Sequence, residues 1–295
     1  MLEQRMPQQD KLKIQQNANC VVMVPPKEFA FNSQTAQDNE FQNQVAETTT
    51  EVRAAAMKEF NSMVNQLRDV GVQVVVFDYP VGEVETPDAV FPNNWFSTTQ
   101  SGTLYTFPMA CENRQHEVKV NALVDALKGA KRPVLAQDSL IPYLEQNAFL
   151  ESTGVMVKDH ISRTIYAALS QRCDREVLED YAQRIGYDCV VSFQTQLPSG
   201  KPIYHTNVMM AIGDKFCVIC DEVIPEFERR FVTKSLAKEM IMTLQGDILQ
   251  KFFTRSLLWS TIERCQSIHS PPPSMTAMPL LIGSTKTEAI SMPLT

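Results

Sequence analysis

With 295 residues, 44% of them hydrophobic, the chain is long enough to bury a substantial core, as one large domain or about two ordinary ones. Its formal charge is -7 and its pI about 5.2, and no run of Lys or Arg is long enough to follow a phosphate backbone, which argues against nucleic acid as a partner. Residues 1–18 read as a polar N-terminal extension without the apolar core of a signal peptide, and no later run approaches the ~20 apolar residues that span a bilayer, so a cytoplasmic protein with no membrane association is expected.

The first strand is expected at Val21–Val24, ended by Pro25 and Pro26. A polar stretch from Asn32 to Gln44 leads into a helix whose apolar positions Val52, Ala56, Phe60, Met63, Val64 and Leu67 share one face, and Gly71 stops it. Val72–Phe77 is rich in β-branched residues and reads as a strand covered on both faces. It delivers the chain to the loop Thr86-Pro-Asp-Ala-Val-Phe-Pro-Asn-Asn-Trp95, the kind of strand-end loop on which sites tend to sit.

Leu104–Met109 reads as the next strand, followed by a helix over Glu117–Leu127 with Val120, Leu123, Val124 and Leu127 inward and Gly129 as its stop. Past Glu151 come strands at Val155–Val157 and Thr164–Leu169, a helix over Asp174–Ile185 with Asp174 as N-cap and Gly186 as its end, and a strand at Cys189–Phe193. Ile203–Ile212 and Lys215–Ile219 flank Gly213-Asp214, a hairpin signal, and a helix follows Pro225. Strand, hairpin and helix units thus return at intervals of several tens of residues, as in a circular repeat architecture, without self-similarity at the level of sequence.

The seven cysteines form no disulfide-like framework, as expected of reduced thiols. Cys217 and Cys220 match Cys-x-x-Cys formally, but they sit in an apolar strand with no second ligand pair, so no metal site is expected; Cys111 reads as another small buried hydrophobe.

Asp88, Glu151 and His205 each stand at the end of an apolar run, and two carboxylates with one imidazole suit chemistry on a planar, nitrogen-rich carbon. Each has a plainer reading on its own: Asp88 after Pro87 shapes a turn, Glu151 is a solvated loop acid, and His205 is a core histidine in a strand. Arg172 ahead of a helix cap would pair with a surface acid, and His116, His160 and His269 read as structural.

The surrounding motifs change that balance. They are Met23-Val-Pro-Pro with Phe29-Ala-Phe-Asn-Ser-Gln-Thr-Ala, the loop Thr86 to Trp95 continuing into Phe-Ser-Thr, Pro108-Met-Ala with Asn113-Arg114, Leu150-Glu-Ser-Thr-Gly, Ala168-Leu-Ser-Gln-Arg172, and Tyr204-His-Thr-Asn-Val-Met-Met. In these the segment from Asn19 to about Lys238 resembles the arginine-deiminase-related branch of the guanidine-modifying (pentein) superfamily, and within it the citrulline-utilisation hydrolases. The resemblance implies an α/β fold, a pentein-type propeller of ββαβ units around a central site. Residues 19–250 would form that domain, with an incomplete or aberrant last unit, and residues 251–295 would be an aberrant or divergent tail.

The same resemblance implies roles. Asp88 and Glu151 match the carboxylates that hold the nitrogens of a guanidinium or ureido group, for which a fork of N–H donors is suited. His205 matches the histidine that protonates the departing nitrogen and then activates water. Arg172 matches an arginine that takes the α-carboxylate of the substrate, Arg114 is a second candidate for that task, and Asn207 stands where some relatives carry an acid. The implied partner is a small ureido or guanidino amino acid, citrulline first and arginine second, with no cofactor; a homo-oligomer is left open.

The family nucleophile is a cysteine after a run of glycines near the C-terminus, and no such motif is present. From Phe252 onward a Pro/Ser/Thr-rich segment replaces strand-helix alternation, as a frame shift, an aberrant exon or true divergence would produce. Cys265, four residues before His269, is a weak candidate nucleophile because the glycines are missing. The expectation is therefore cysteine-dependent C–N hydrolase ancestry with little activity of its own. The alternatives are a non-catalytic amino-acid-binding protein or truncation product, and an amidinotransferase.

Overall fold

The computed structural model describes residues 14–42, 46–236 and 240–243. The first strand, β1 (Cys20–Met23), connects through α1 (Thr49–Asp69) to a parallel partner, β2 (Gln73–Val76). Helix α1 starts in a capping box: Thr48 Oγ1 accepts from the Glu51 amide at 3.3 Å, and the Glu51 carboxylate accepts from the Thr48 amide at 2.9 Å. Ala56, Phe60, Val64 and Leu67 recur at helical spacing and are buried with Val21, Met23, Val72 and Val74. Gly71 ends the segment with φ +86°, a left-handed conformation in which a Cβ would be strained. The covering of β2 on both faces holds at Val74 and Val75 but not at Val76, which is exposed at the strand end.

Three further sheets repeat one pattern, an antiparallel pair followed by a helix and a parallel third strand. In the first, β3 (Phe96–Thr98) pairs with β4 (Thr103–Thr106), and the chain passes through α2 (Glu112–Gln115) and α3 (Val120–Gly129) to β5 (Ala136–Ser139) beside β4. In the next, α4 (Ser152–Val155) leads into β6 (Val157–Asp159) and β7 (Thr164–Ala168), and α5 (Arg175–Arg184) crosses to β8 (Cys189–Phe193). In the last, β9 (Met210–Ile212) and β10 (Phe216–Ile219) form the hairpin at Gly213, and α6 (Glu226–Ser235) precedes β11 (Met240–Thr243). The fold is thus mixed α/β with four small sheets.

Asp174 caps α5 as its sequence predicts, accepting from the amides of Glu176 and Val177 at 2.9 and 3.2 Å. The helix buries Val177, Leu178, Tyr181 and Ala182, and the Tyr181 ring meets Phe107 and Tyr105 edge-on at 4.9 and 5.3 Å. Burying one such large side chain contributes roughly 1.5–3 kcal/mol, so this aromatic cluster is a main tie between the first and second of the three repeated units.

Three expectations are corrected, and one strand is added. The helix expected from Glu117 begins at Val120, because the Glu117 side chain turns inward to a buried arginine. Val155–Val157 is not a strand: the residues after Glu151 form α4, and pairing starts at Val157. Ile203–Ile212 is not one strand either. It is broken by a 3₁₀ turn at Thr206–Val208, where the Thr206 hydroxyl accepts from the Ala168 amide at 2.8 Å and donates to the Val155 carbonyl at 2.5 Å, side-chain bonds that replace a ladder. Strand β5 has no counterpart in the sequence reading, since Ala136 and Gln137 are exposed and give no apolar alternation. The expected irregular coil after Phe252, Cys265 and His269 lie outside the described residues.

Candidate active site

Glu151 and Arg172 are brought together by main chain before their side chains meet. An antiparallel bridge joins Leu150 to Cys173, the Glu151 amide donates to the Arg172 carbonyl at 3.1 Å, and the Asp174 amide donates to the Phe149 carbonyl at 2.8 Å. Glu151 then stands at the start of α4, where Ser152 takes φ +40°, a left-handed conformation rare outside glycine. His205 immediately precedes the turn fixed by Thr206.

Glu151 is fully buried and satisfied on both oxygens. Oε1 accepts from the Ala110 amide at 3.1 Å, and Oε2 lies 2.7 Å from His205 Nε2, 3.4 Å from Arg172 Nη1 and 3.7 Å from Arg114 Nη1. Burial alone would raise its pKa, but the Arg172 charge, the His205 contact and Arg114 outweigh burial and hold the carboxyl below its ordinary value. Burial lowers the pKa of His205 despite Glu151. A neutral imidazole donating Nε2–H to an ionised Glu151 fits both directions, and it leaves Nδ1 as the acceptor nitrogen.

Arg114 is equally enclosed. Nε and Nη2 donate to the two Glu117 oxygens at 2.9 and 3.0 Å, and Nη1 donates to Asn94 Oδ1 at 2.8 Å. Nη2 also reaches the carbonyls of Asp88 and Phe91 at 3.3 and 3.4 Å. Burial pushes Glu117 up to about 7 against the pull of Arg114, with Asp88 and Glu151 adding to the rise. Arg172 donates from Nε to Asp38 Oδ2 at 2.7 Å and from Nη2 to Asp38 Oδ1, and its guanidinium lies over the Tyr204 ring.

Glu151, His205, Arg172 and Arg114 therefore share one buried contact network. Asp88 joins it at one remove: its carbonyl accepts from Arg114, while its carboxylate accepts from Asn32 Nδ2 at 2.7 Å and from Thr35 Oγ1 at 3.1 Å. Asn207 is buried in the turn after His205 and makes no side-chain hydrogen bond among the described residues. Asn94, Glu117 and Asp38 carry no role in the sequence reading, although Asn94 lies within the quoted motif and Glu117 stands three residues after Arg114, a spacing that pairs opposite charges.

Gly154 explains how closely these parts approach. A Cβ built there would fall on the Asn94 amide nitrogen and 2.9 Å from His205 Cε1, so only glycine lets α4 pass between them. Cys111 is the thiol placed to feel the site's charges, and burial pushes it up to about 11, with Arg172 and Arg114 pulling it down and Glu151 and Asp38 pushing it up. A thiol so raised has little thiolate at neutral pH. Among the described residues no group of His, Cys, Asp and Glu is arranged to hold a metal ion.

This fold and these motifs belong to the pentein superfamily of amidinotransferases and arginine dihydrolases. Within it, residues 25–259 match the family described as N,N dimethylarginine dimethylhydrolase, eukaryotic, and the chain belongs to that family. No curated protein matches the sequence as a relative. Similar solved structures include the apo form of ArgZ, an arginine dihydrolase from the ornithine-ammonia cycle in cyanobacteria, with 13% identity, a TM-score of 0.58, and coverage of 80% of this chain and 31% of that one. A cysteine-to-alanine variant of AgrE with L-arginine is similar at 13% identity and a TM-score of 0.60, covering 78% and 31%. A histidine-to-glycine variant of dimethylarginine dimethylaminohydrolase, as an adduct with S-methyl-L-thiocitrulline, gives 12% identity, a TM-score of 0.52 and coverage of 77% of each chain. At these identities the likeness is one of fold, and this chain spans about a third of the ArgZ and AgrE chains. Among the described residues no helix is long and apolar enough to cross a membrane.

Proposed function

We propose that the centre formed by Glu151 and His205 binds the guanidino or ureido head of a small amino acid, arginine or citrulline, and derives from cysteine-dependent C–N hydrolases. The observation that carries this reading is the buried 2.7 Å contact between His205 Nε2 and Glu151 Oε2, beside two arginines. A carboxylate kept ionised in a buried site suits a planar head rich in N–H donors, and a neutral imidazole suits taking a proton from the attacking group or from water, which as imidazolium it can then pass to a departing nitrogen. Asp88 would hold the same head from the other side, Arg172 would take the α-carboxylate, with Arg114 second, and Asn207 would line the pocket. The three repeated strand-strand-helix-strand units and the β1–β2 pair support the reading of the described residues as a propeller; the bounds 19–250, a separate tail over 251–295 and a cytoplasmic location are proposed from the sequence.

Cleavage of a resonance-stabilised guanidinium or urea needs a strong nucleophile, and the sequence carries no glycine-preceded cysteine near its C-terminus, while burial raises the Cys111 thiol. The proposal is therefore binding with little turnover. Calorimetric titration of the full chain with L-arginine and L-citrulline, with an ammonia assay on the same samples, tests it. Saturable binding without ammonia release is expected. Robust ammonia release that survives Cys265→Ala and is lost in His205→Ala would overturn the inactive reading, and absence of binding by either ligand would overturn the site.

A further inference from the structure

If Arg172 takes the substrate's α-carboxylate, as proposed above, that position is already filled by the protein itself. Asp38 follows the 3₁₀ turn Thr35–Gln37 and presents both carboxylate oxygens to the Arg172 fork, at 2.7 Å from Nε and in contact with Nη2. Nη2 also donates to the Thr35 carbonyl at 3.3 Å, and Nη1 reaches Glu151 at 3.4 Å. Arg114 offers no substitute, since Glu117, Asn94 and two carbonyls take its donors. Three acidic side chains, Asp38, Glu117 and Glu151, thus contact the two arginines, and the Asp88 carboxylate adds its charge from one remove.

A ligand carboxylate arriving here meets no open fork and adds another negative group, whereas a ligand that is cationic at both ends adds none. The Arg172 side chain is 2% exposed and fixed from three sides, while that of Asp38 is 27% exposed on a surface turn. The movable partner in the pair is therefore the acid. Bidentate guanidinium-carboxylate pairs are among the stronger polar contacts, so displacing one costs a competing carboxylate much of its own gain.

We infer that Asp38 is the specificity-determining residue of this site, competing with a ligand carboxylate for Arg172 so that the site favours a guanidine with an amine tail over one with an amino-acid tail. The test is calorimetry on the full chain and on Asp38→Asn with two ligands, L-arginine and agmatine, which is arginine without its α-carboxylate. The wild-type chain is expected to bind agmatine at least as tightly as L-arginine; Asp38→Asn should tighten L-arginine by about tenfold while agmatine changes by less than about threefold. Asp38→Ala should move L-arginine in the same direction, a gain that misfolding cannot produce. An unchanged arginine-to-agmatine ratio overturns the role of Asp38 alone, and so does weakening of both ligands, which would make Asp38 the partner of the ligand's ammonium group. Failure of both proteins to bind either ligand overturns the guanidino reading of the site and this inference with it.

Discussion

The Arg172 guanidinium lies across the face of Tyr204, 4.9 Å from guanidinium carbon to ring centroid, and the next residue in the chain is His205, whose ring centroid is 4.6 Å from that of Tyr204. One aromatic ring thus touches both the arginine and the imidazole of the site. Contacts of a cation with an aromatic ring contribute roughly 0.5–2 kcal/mol, rising with desolvation. Tyr204→Leu is expected to lower stability by about 1–2 kcal/mol in urea unfolding, and Tyr204→Phe by less than half of that, since the ring is what matters. Equal losses in the two variants would assign the effect to the hydroxyl instead.

Gly154→Ala should damage the site more than the fold. The added methyl collides with Asn94 and His205, and overpacking of this kind costs about 1–3 kcal/mol. L-Arginine affinity should fall by about tenfold or more as the imidazole shifts. Titration calorimetry reads the affinity and the His205 ring resonances read the shift; unchanged resonances would mean that α4 moved instead.

Glu151→Gln removes a buried anion that four cationic or donor groups share, so Arg172 and Arg114 lose a counter-charge. A loss of about 3–5 kcal/mol in unfolding free energy is expected, the range for breaking buried ion pairs. Glu151 opposes the lowering of the His205 pKa, and its removal should drive the His205 midpoint further below 6.5, as followed by imidazole NMR. A midpoint that rises in the variant would contradict the hydrogen bond.

Glu117 gives a pH dependence of definite sign. Its carboxyl titrates at about 7 when folded against 4.5 ordinarily, so between these values the folded chain holds a proton that the unfolded chain has released. Stability contributed by this group is fully present below 4.5 and is lost as pH rises to about 7. Glu117→Gln should therefore lose less stability than the wild type between pH 4.5 and 7 in matched urea titrations. Parallel pH profiles for the two proteins would show that Arg114 keeps Glu117 ionised across the whole range.

The family and the α/β class were legible in the sequence because they rest on local signals: the helical face of α1, the Asp174 cap, the Gly213 hairpin and contiguous motifs. Breaks caused by side-chain hydrogen bonds were not. Nothing in the apolar pattern of Ile203–Ile212 reveals that the Thr206 hydroxyl binds Ala168 and Val155, two segments remote in sequence. Asp38 and Glu117 were missed for the same reason, since a charged residue in a polar stretch reads as solvated until its distant partner is known. Asn94 stands inside the recognised motif, but an amide between Asn93 and Trp95 gives no local sign that it will accept from a buried guanidinium.

The amide of Glu151 is hydrogen-bonded to the carbonyl of Arg172. The carboxylate and a guanidinium of the centre are consequently clasped through their backbones, and solvent deuterium can reach that amide only when the two segments part. Exchange at this single position counts the excursions in which the site comes undone. A ligand that bridges the two side chains would slow that clock, even where no product is formed.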